Sequence, residues 1–462
     1  RSQGEINNQW GNLAGALRWN HTFSESLFGS YTLSFSRFRY LDGFSSRQSV
    51  VETQTPPIER RNELFSDIQD VTLRLHHEWN RAGIWRFGAL ATLPRFGQPG
   101  LSFYQQDADG RVTEGGDGGG RVHALSSSLY VEREVTLWDS IQINAGLHNS
   151  FFLVQGAVFP SLQPRLVVTR PLASGWLLKA SYARMVQNQH LLSNSGAGPP
   201  TDLWVPATKA VGPGTADQVS FGGRRTWTDQ GITLEVEAYY KRLRGQLDFS
   251  QGTSFFAGEG GWENKVESRG KGAAYGLELL VQKETEKFSG WLSYTWSRNL
   301  RRFENINGGR AYPYLYDRPH VLTLVGIWEP SPRSSISATW TVESGRAVTL
   351  ASARYEIEAF DYVVGVFPPV VTSGPQSAYL YEGRNNYRMP VYHRLDVNFN
   401  LKKAGTSRGK KYLRVWSLGV YNLYNRQNPY FLFYDRTDSN ETKLFQFTLF
   451  PVLPYFSYER SF

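Results

Sequence analysis

Apolar and polar residues alternate with a period of two along most of the chain, the signature of strands with two unlike faces. In "YTLSFSRF", Tyr31, Leu33 and Phe35 alternate with Thr32, Ser34 and Ser36. "DVTLRLHHEW" sets Val71, Leu73, Leu75 and Trp79 against Thr72, Arg74, His76 and Glu78. In "GITLEVEAYYK", Ile232, Leu234, Val236, Ala238 and Tyr240 oppose Thr233, Glu235, Glu237 and Lys241. The same rule sets Leu292, Tyr294 and Trp296 against Ser293, Thr295 and Ser297. It also sets Leu395, Val397, Phe399 and Leu401 against Arg394, Asp396, Asn398 and Asn400. About seventeen such segments are predicted, many longer than the ~5–6 residues usual for soluble strands. No extended 3.6-residue periodicity with caps accompanies them.

A soluble sandwich would alternate too, but the connections separate the two cases. Short ones are predicted near 20–25, 80–83, 135–140, 171–175, 229–231, 284–287, 330–333 and 403–410. Longer ones are predicted near 41–62, 107–120, 153–159, 188–215, 251–261, 305–316, 347–386 and 435–442. Short turns on one side and long loops on the other characterise outer-membrane barrels. The fold class read here is therefore all-β, a transmembrane antiparallel barrel. An even-stranded barrel with short periplasmic turns places the C-terminus in the periplasm. The segment around 9–20 then also runs inward, which predicts an odd number of strands upstream. The expectation is about 17 strands of a 22-stranded barrel, because open edges in hydrocarbon leave backbone groups unsatisfied.

Composition sharpens this picture. Aromatics make up 15% of the chain, more than an ordinary core needs, yet hydrophobic residues reach only 40%. No apolar run is long enough for a membrane helix. The chain has no cysteine, so disulfides and thiolate metal sites are excluded. Its formal charge of +9 comes from scattered Lys and Arg rather than a basic stripe, which argues against a nucleic-acid partner and mildly favours an anionic ligand or lipid.

The C-terminal motifs make a likeness specific. "SLGVYNLYNRQNPYF" (417–431) resembles the penultimate strand of TonB-dependent outer-membrane receptors. "KGAAYGLELLVQK" (271–283), "GWLSYTWSRN" (290–299), "YDRPHVLTL" (316–324), "RMPVYHRLDVNFNL" (388–401) and "LFPVLPYFSYERSF" (449–462) follow in an order similar to Bacteroidetes-type receptors. The resemblance covers residues from about 216 onward and is weaker before that. It implies a plugged barrel in the bacterial outer membrane, embedded in lipid, taking up a scarce ligand such as a siderophore, cobalamin, glycan or peptide. It also implies partners: the chain's own plug domain, the TonB complex reached through an upstream N-terminal part, and the barrel-assembly machinery. Neither a plug nor a TonB-contacting segment stands in residues 1–462, so both are expected upstream. Phe456, Tyr458 and Phe462 resemble the assembly signal, although Arg460 stands where the family often carries an aromatic.

Charged strand residues that are costly against lipid are expected to face the lumen, toward ligand or plug: Arg74, Glu78, Glu235, Glu237, Arg298, Arg394 and Asp396. Adjacent His76 and His77 face opposite sides of a strand, which disfavours joint metal chelation and places His76 in the lumen and His77 at the interface. Trp19, Trp79, Trp296 and Trp328 suit interfacial girdles. His320 and His393 each lie near an Arg and an Asp, but a hydrolase would need a serine that only folding could supply. No catalytic residue and no cofactor is predicted. Asp107, Asp109, Glu114 and Asp117 sit among glycines and form a weak calcium candidate without EF-hand spacing, so a plain exposed loop is preferred. The loop 347–386 carries the apolar "FDYVVGVFPPVV" (360–371), suited to a ligand, a surface lipoprotein or its own packing. Two other readings compete with transport: a barrel subunit of a larger secretion or surface assembly, and a passive porin.

Overall fold

The computed structural model describes the chain except residues 1, 49–57, 107–110, 117–119, 139, 197–201, 254–260, 364–369, 408–409, 437–440 and 462. It forms two compact units: Arg1–Asn194 with Thr201–Val281, and Ser195–Pro200 with Gln282–Phe462. Each is built of antiparallel strands.

In the first unit, β1 (Ser2–Ser24), β2 (Leu27–Gln48), β3 (Ile58–Asn80) and β4 (Ile84–Gln106) pair in sequence. The short β5 (Val112–Gly116) pairs with the upper part of β4. The order continues through β6 (Arg121–Leu137), β7 (Ile141–Val154), β8 (Ala157–Pro171) and β9 (Trp176–Gln187). A hairpin of β10 (Gln189–Ser193) and β11 (Asp202–Pro206) interrupts before β12 (Gly214–Trp227), β13 (Ile232–Phe249) and β14 (Val266–Glu284).

The second unit opens with β15 (Phe288–Arg302), the two-residue β16 (Tyr312–Pro313), β17 (His320–Ser331) and β18 (Ser334–Glu343). Next come β19 (Ala347–Val348), β20 (Ala353–Val363), β21 (Val370–Leu380) and β22 (Tyr387–Arg388). It ends with β23 (Tyr392–Ser407), β24 (Lys410–Tyr421), β25 (Pro429–Arg436), β26 (Thr442–Thr448) and β27 (Leu453–Ser461). The long strands pair β15–β17–β18–β23–β24–β27.

Among the described residues there are 27 strands. They exceed the segments read from the sequence because the long connections carry three hairpins and the short strands β5, β16, β19 and β22. Residues 188–215 hold β10–β11, residues 347–386 hold β20–β21, and β25–β26 spans 435–442. Two boundaries need correction. Residues 41–48 and 58–62 continue β2 and β3 in unbroken register instead of forming a loop. Near 153–159 the chain turns in two residues, Gln155 and Gly156, both at positive φ (50° and 77°). That geometry matches the right-handed twist of the flanking strands, so no longer loop is needed.

Register shows why the alternation exists. One face of the first unit carries the row Leu33, Leu73, Ala91, Ser127, Phe151, and a neighbouring row Tyr31, Leu75, Ala89, Leu129. Leu33, Leu73, Leu129 and Phe151 remain 42–63% exposed, an apolar surface suited to contact with lipid. The opposite face carries Thr32, Arg74, Leu90, Ser128, Ser150 and Ser161. Toward the long connections this second face closes over a core of Ile68, Phe96, Val122, Ala124, Phe152 and Val154. The β10–β11 hairpin adds its own core, Leu192, Leu203 and Val205 against Leu247, Phe249 and Trp262.

Candidate functional site

In the first unit the polar face holds a chain of paired groups. Arg86 Nε lies 3.2 Å from Glu78 and its Nη1 lies 3.0 Å from Glu134, so Glu78 ends in an ion-pair network. One row further along, His76 Nδ1 and Tyr130 Oη are 2.6 Å apart. They meet across Gly88, the residue between them in register, where a Cβ would collide with Leu75 O and the Tyr130 ring. Gln163 donates to Ser150 Oγ at 2.9 Å. Arg74 sits between Thr32 and Leu90 on this face, and Glu235 and Glu237 lie opposite Arg224 and Gly222. Ser128 Oγ, His148 Nδ1 and Asp70 Oδ1 are buried without a hydrogen-bond partner among the described residues.

His77, one residue from His76, points the other way. Its Nε2 is 2.9 Å from Tyr31 Oη and its ring stacks on Phe87 at 5.2 Å. Trp19 stacks on Tyr31, and below them Arg133 covers Trp85 at 4.9 Å. The outer face therefore ends in an aromatic girdle on the short-turn side.

In the second unit Asp317 is the hub. Its carboxylate is fully buried and meets Arg388 Nη2 at 2.5 Å and Arg298 Nε at 3.7 Å, while the Asn299 amide donates to it at 2.6 Å. Arg388 Nη1 also donates to the carbonyls of Asp317 and Gly345, at 2.7 and 2.8 Å. Since β19 pairs with β22, this cluster clamps the base of the longest connection. Arg298 shares the strand parity of Leu292, Tyr294 and Trp296, not that of Ser293, Thr295 and Ser297, and turns to Asp317 from there. Arg394 bonds Asp396 at 2.9 Å and donates to Tyr421 Oη at 2.6 Å, and Asp396 in turn accepts from the Asn422 amide at 2.9 Å. Arg318 pairs with Glu343.

The two second-unit histidines have phenol partners, not acids: His320 Nδ1 is 2.8 Å from Tyr294 Oη, and His393 Nδ1 is 2.9 Å from Tyr424 Oη. Neither is arranged as the base of a hydrolytic triad. Glu114 is exposed on β5 opposite Tyr104; Asp107, Asp109 and Asp117 lie outside the described residues. Of the residues expected to form an assembly signal, Phe456 faces Leu418 and Tyr458 faces Trp416, and Phe456 is 67% exposed; Phe462 is outside the described residues. In the β25–β26 hairpin, Tyr434 Oη donates to Ala351 O at 3.0 Å, and burial beside Tyr381 holds its phenol above the usual range.

Sequence reasoning missed the Asp317–Arg388 pair. Arg388 is 71 residues away, and Asp317 had an Arg and a His close by in sequence. The "YDRPH" motif marked the place but not the partner.

A family model for the TonB dependent receptor-like β-barrel matches residues 1–423. The chain belongs to the TonB-dependent receptor family. It is an outer-membrane β-barrel protein, and the family is one of receptors rather than enzymes. Solved relatives share the fold at low identity. The ferric preacinetobactin receptor BauA of Acinetobacter baumannii is 11% identical with a TM-score of 0.58, covering 99% of this chain and 63% of its own. The pyoverdine receptor FpvA of Pseudomonas aeruginosa is 10% identical with a TM-score of 0.59, covering 98% and 62%. The ferric-catecholate import receptor Fiu of E. coli K12 is 12% identical with a TM-score of 0.57, covering 98% and 64%. The chain thus spans under two thirds of the length of these relatives. Comparison with curated protein sequences returned no match.

Proposed function

We propose that this chain is the major C-terminal part of a receptor barrel for TonB-energised uptake of a scarce ligand, built on the Bacteroidetes-type pattern. Upstream segments would supply a plug, a TonB contact and the remaining strands of a 22-stranded wall. The observation that carries this reading is the division of faces in the first unit. An exposed apolar face backs onto a polar one on which Arg86 pairs with both Glu78 and Glu134. A polar inner face of this kind suits a polar plug domain packed against it. Arg74, Glu78, Glu235, Glu237, Arg394 and Asp396 are the contacts proposed for plug or ligand. Arg298 would act with Asp317 at the base of the long connection.

Strand edges support the missing wall. Every described side chain of β1 from Gln9 to Ser24 is exposed, and β27 is nearly as open. A backbone edge left so in hydrocarbon costs several kcal/mol per unpaired group. The test is energised uptake. Cells with the intact gene should accumulate candidate iron chelates, cobalamin, glycans or peptides, and loss of TonB should abolish it. Accumulation that persists without TonB would favour a porin instead.

A second reading has its own observation. The β20–β21 and β25–β26 hairpins lean together through Arg354 and Thr442, 2.6 Å apart, and through Tyr379 and Tyr434. They leave Tyr355, Tyr430, Phe445 and Phe447 exposed by 38–54%, a surface suited to a docked surface lipoprotein or a larger assembly.

A further inference from the structure

The outer face of the first unit changes character abruptly at its long-connection end. Two register-aligned rows cross β2, β3, β4 and β6 just beyond the apolar belt. The first reads Arg37, Gln69, Arg95, His123, and the second Arg39, Asp67, Gly97, Arg121. Alternation from Leu33, Phe35, Val71 and Leu73 puts all of them on the lipid-contacting face. Asp67 takes Arg37 in a two-point grip, 3.1 and 2.7 Å, and touches Arg39 at 3.4 Å. The two rows thus carry four arginines and a single carboxylate, which engages Arg37 and Arg39. Arg39 keeps two thirds of its side-chain surface, 66%, and Arg121 and His123 are exposed.

Position adds to charge. Ten residues separate Arg37 from Leu27, which pairs with Trp79 of the lower girdle. That is about 33 Å along the strand and about 25 Å across the membrane at a usual tilt, the height of a barrel's apolar band. The arginines therefore sit where lipid headgroups begin. Four strands about 4.8 Å apart and two rows about 7 Å apart give a patch the width of one or two headgroups. A similar grouping recurs on the same face at β9, β12 and β13. There Asp217 accepts from Arg184 at 2.8 Å and Tyr182 at 2.9 Å, with Arg244 at 3.2 Å and Arg242 opposite in register.

We propose that Arg37, Arg39, Arg95, Arg121 and His123 form a seat for the phosphate-bearing headgroup of an outer-leaflet lipid whose acyl chains lie on the belt below. The occupant is a lipid because the patch is continuous with exposed Phe35, Leu93 and Leu125, which a soluble anion would leave bare. Planar guanidinium groups suit phosphate oxygens, and Asp67 fixes Arg37 so that less freedom is lost on binding. This inference rests on the outer-membrane placement but not on transport.

The test uses the intact protein extracted from outer membranes in mild detergent, with lipid A and its dephosphorylated form as probes, read by native mass spectrometry. Wild type should retain lipid A and release the dephosphorylated form. At about fivefold per arginine, Arg39→Ser with Arg121→Ser should weaken retention roughly 25-fold, while Arg39→Lys with Arg121→Lys should keep most of it. Heat-modifiable gel mobility checks that each variant is folded. Equal retention of both lipids, or by both serine and wild-type proteins, overturns the proposal. So does full displacement by millimolar inorganic phosphate, which would mark a soluble-anion site, or a protein co-extracted in place of lipid.

Discussion

Asp317 shows what a single buried charge requires. Removing a carboxylate from water costs several kcal/mol, and the Arg388 fork, the Asn299 amide and the more distant Arg298 together offset it. Arg388→Met should destabilise the folded protein by about 3–5 kcal/mol, since it strands that charge. Adding Asp317→Leu should recover much of the loss. Urea unfolding in detergent, followed by tryptophan fluorescence, measures both; a double variant no better than the single would show that Asp317 is held mainly by its backbone partner. Gly88 makes the complementary point. What matters there is the absent side chain, because His76 and Tyr130 hydrogen-bond through the space it leaves.

At the scale of the strand, one residue decides which solvent a side chain meets. Leu73 lies on the apolar face and Arg74 on the polar one. Leu73→Arg should therefore cost about 2–4 kcal/mol near the midplane, although arginine already sits at the next position without penalty. Folding titrations into lipid vesicles test this directly. The closing strand obeys the same rule. Phe456 and Tyr458 pair with Leu418 and Trp416 on the apolar side, while Ser457 pairs with Ser417 on the other. Phe456→Asp with Tyr458→Asp should sharply reduce the fraction of heat-modifiable protein in outer-membrane extracts, whereas Ser457→Asp should not. Comparable losses from both would mean that the strand's facing does not set the yield of assembled barrel.

At the scale of the whole molecule, the proposed function requires a cover for the strand edges. The proposed wall assigns upstream strands to β1 and β27, and it makes a quantitative demand. Residues 1–462 produced alone should fail to give a heat-modifiable, protease-resistant barrel in detergent, whereas the chain with its upstream strands should give one. A closed barrel from residues 1–462 would remove the need for those strands. The mass of the intact protein extracted from membranes, with its N-terminal sequence, would then show where the mature protein begins.

Much of this was legible in the residues. The period of two separated the faces because a pleated backbone sends neighbours to opposite sides whatever the tertiary context. His76 and His77 parted for that reason alone, as did Glu235 and Glu237 from their apolar neighbours. Likewise the "NLYNRQN" and closing aromatic motifs pointed to the family whose model matches residues 1–423. Loops were less legible. Residues 41–48 and 58–62 read as a connection because polar residues flank them, yet pairing with each other extends the strands. Partners distant in sequence were not legible at all. Asp317 and Arg388, or the arginine rows on β2, β4 and β6, meet only because strand register brings them side by side. Alternation fixes the face of a residue within its own strand; only the pairing of strands decides which charges share that face, and so where an ion pair closes or a phosphate could sit.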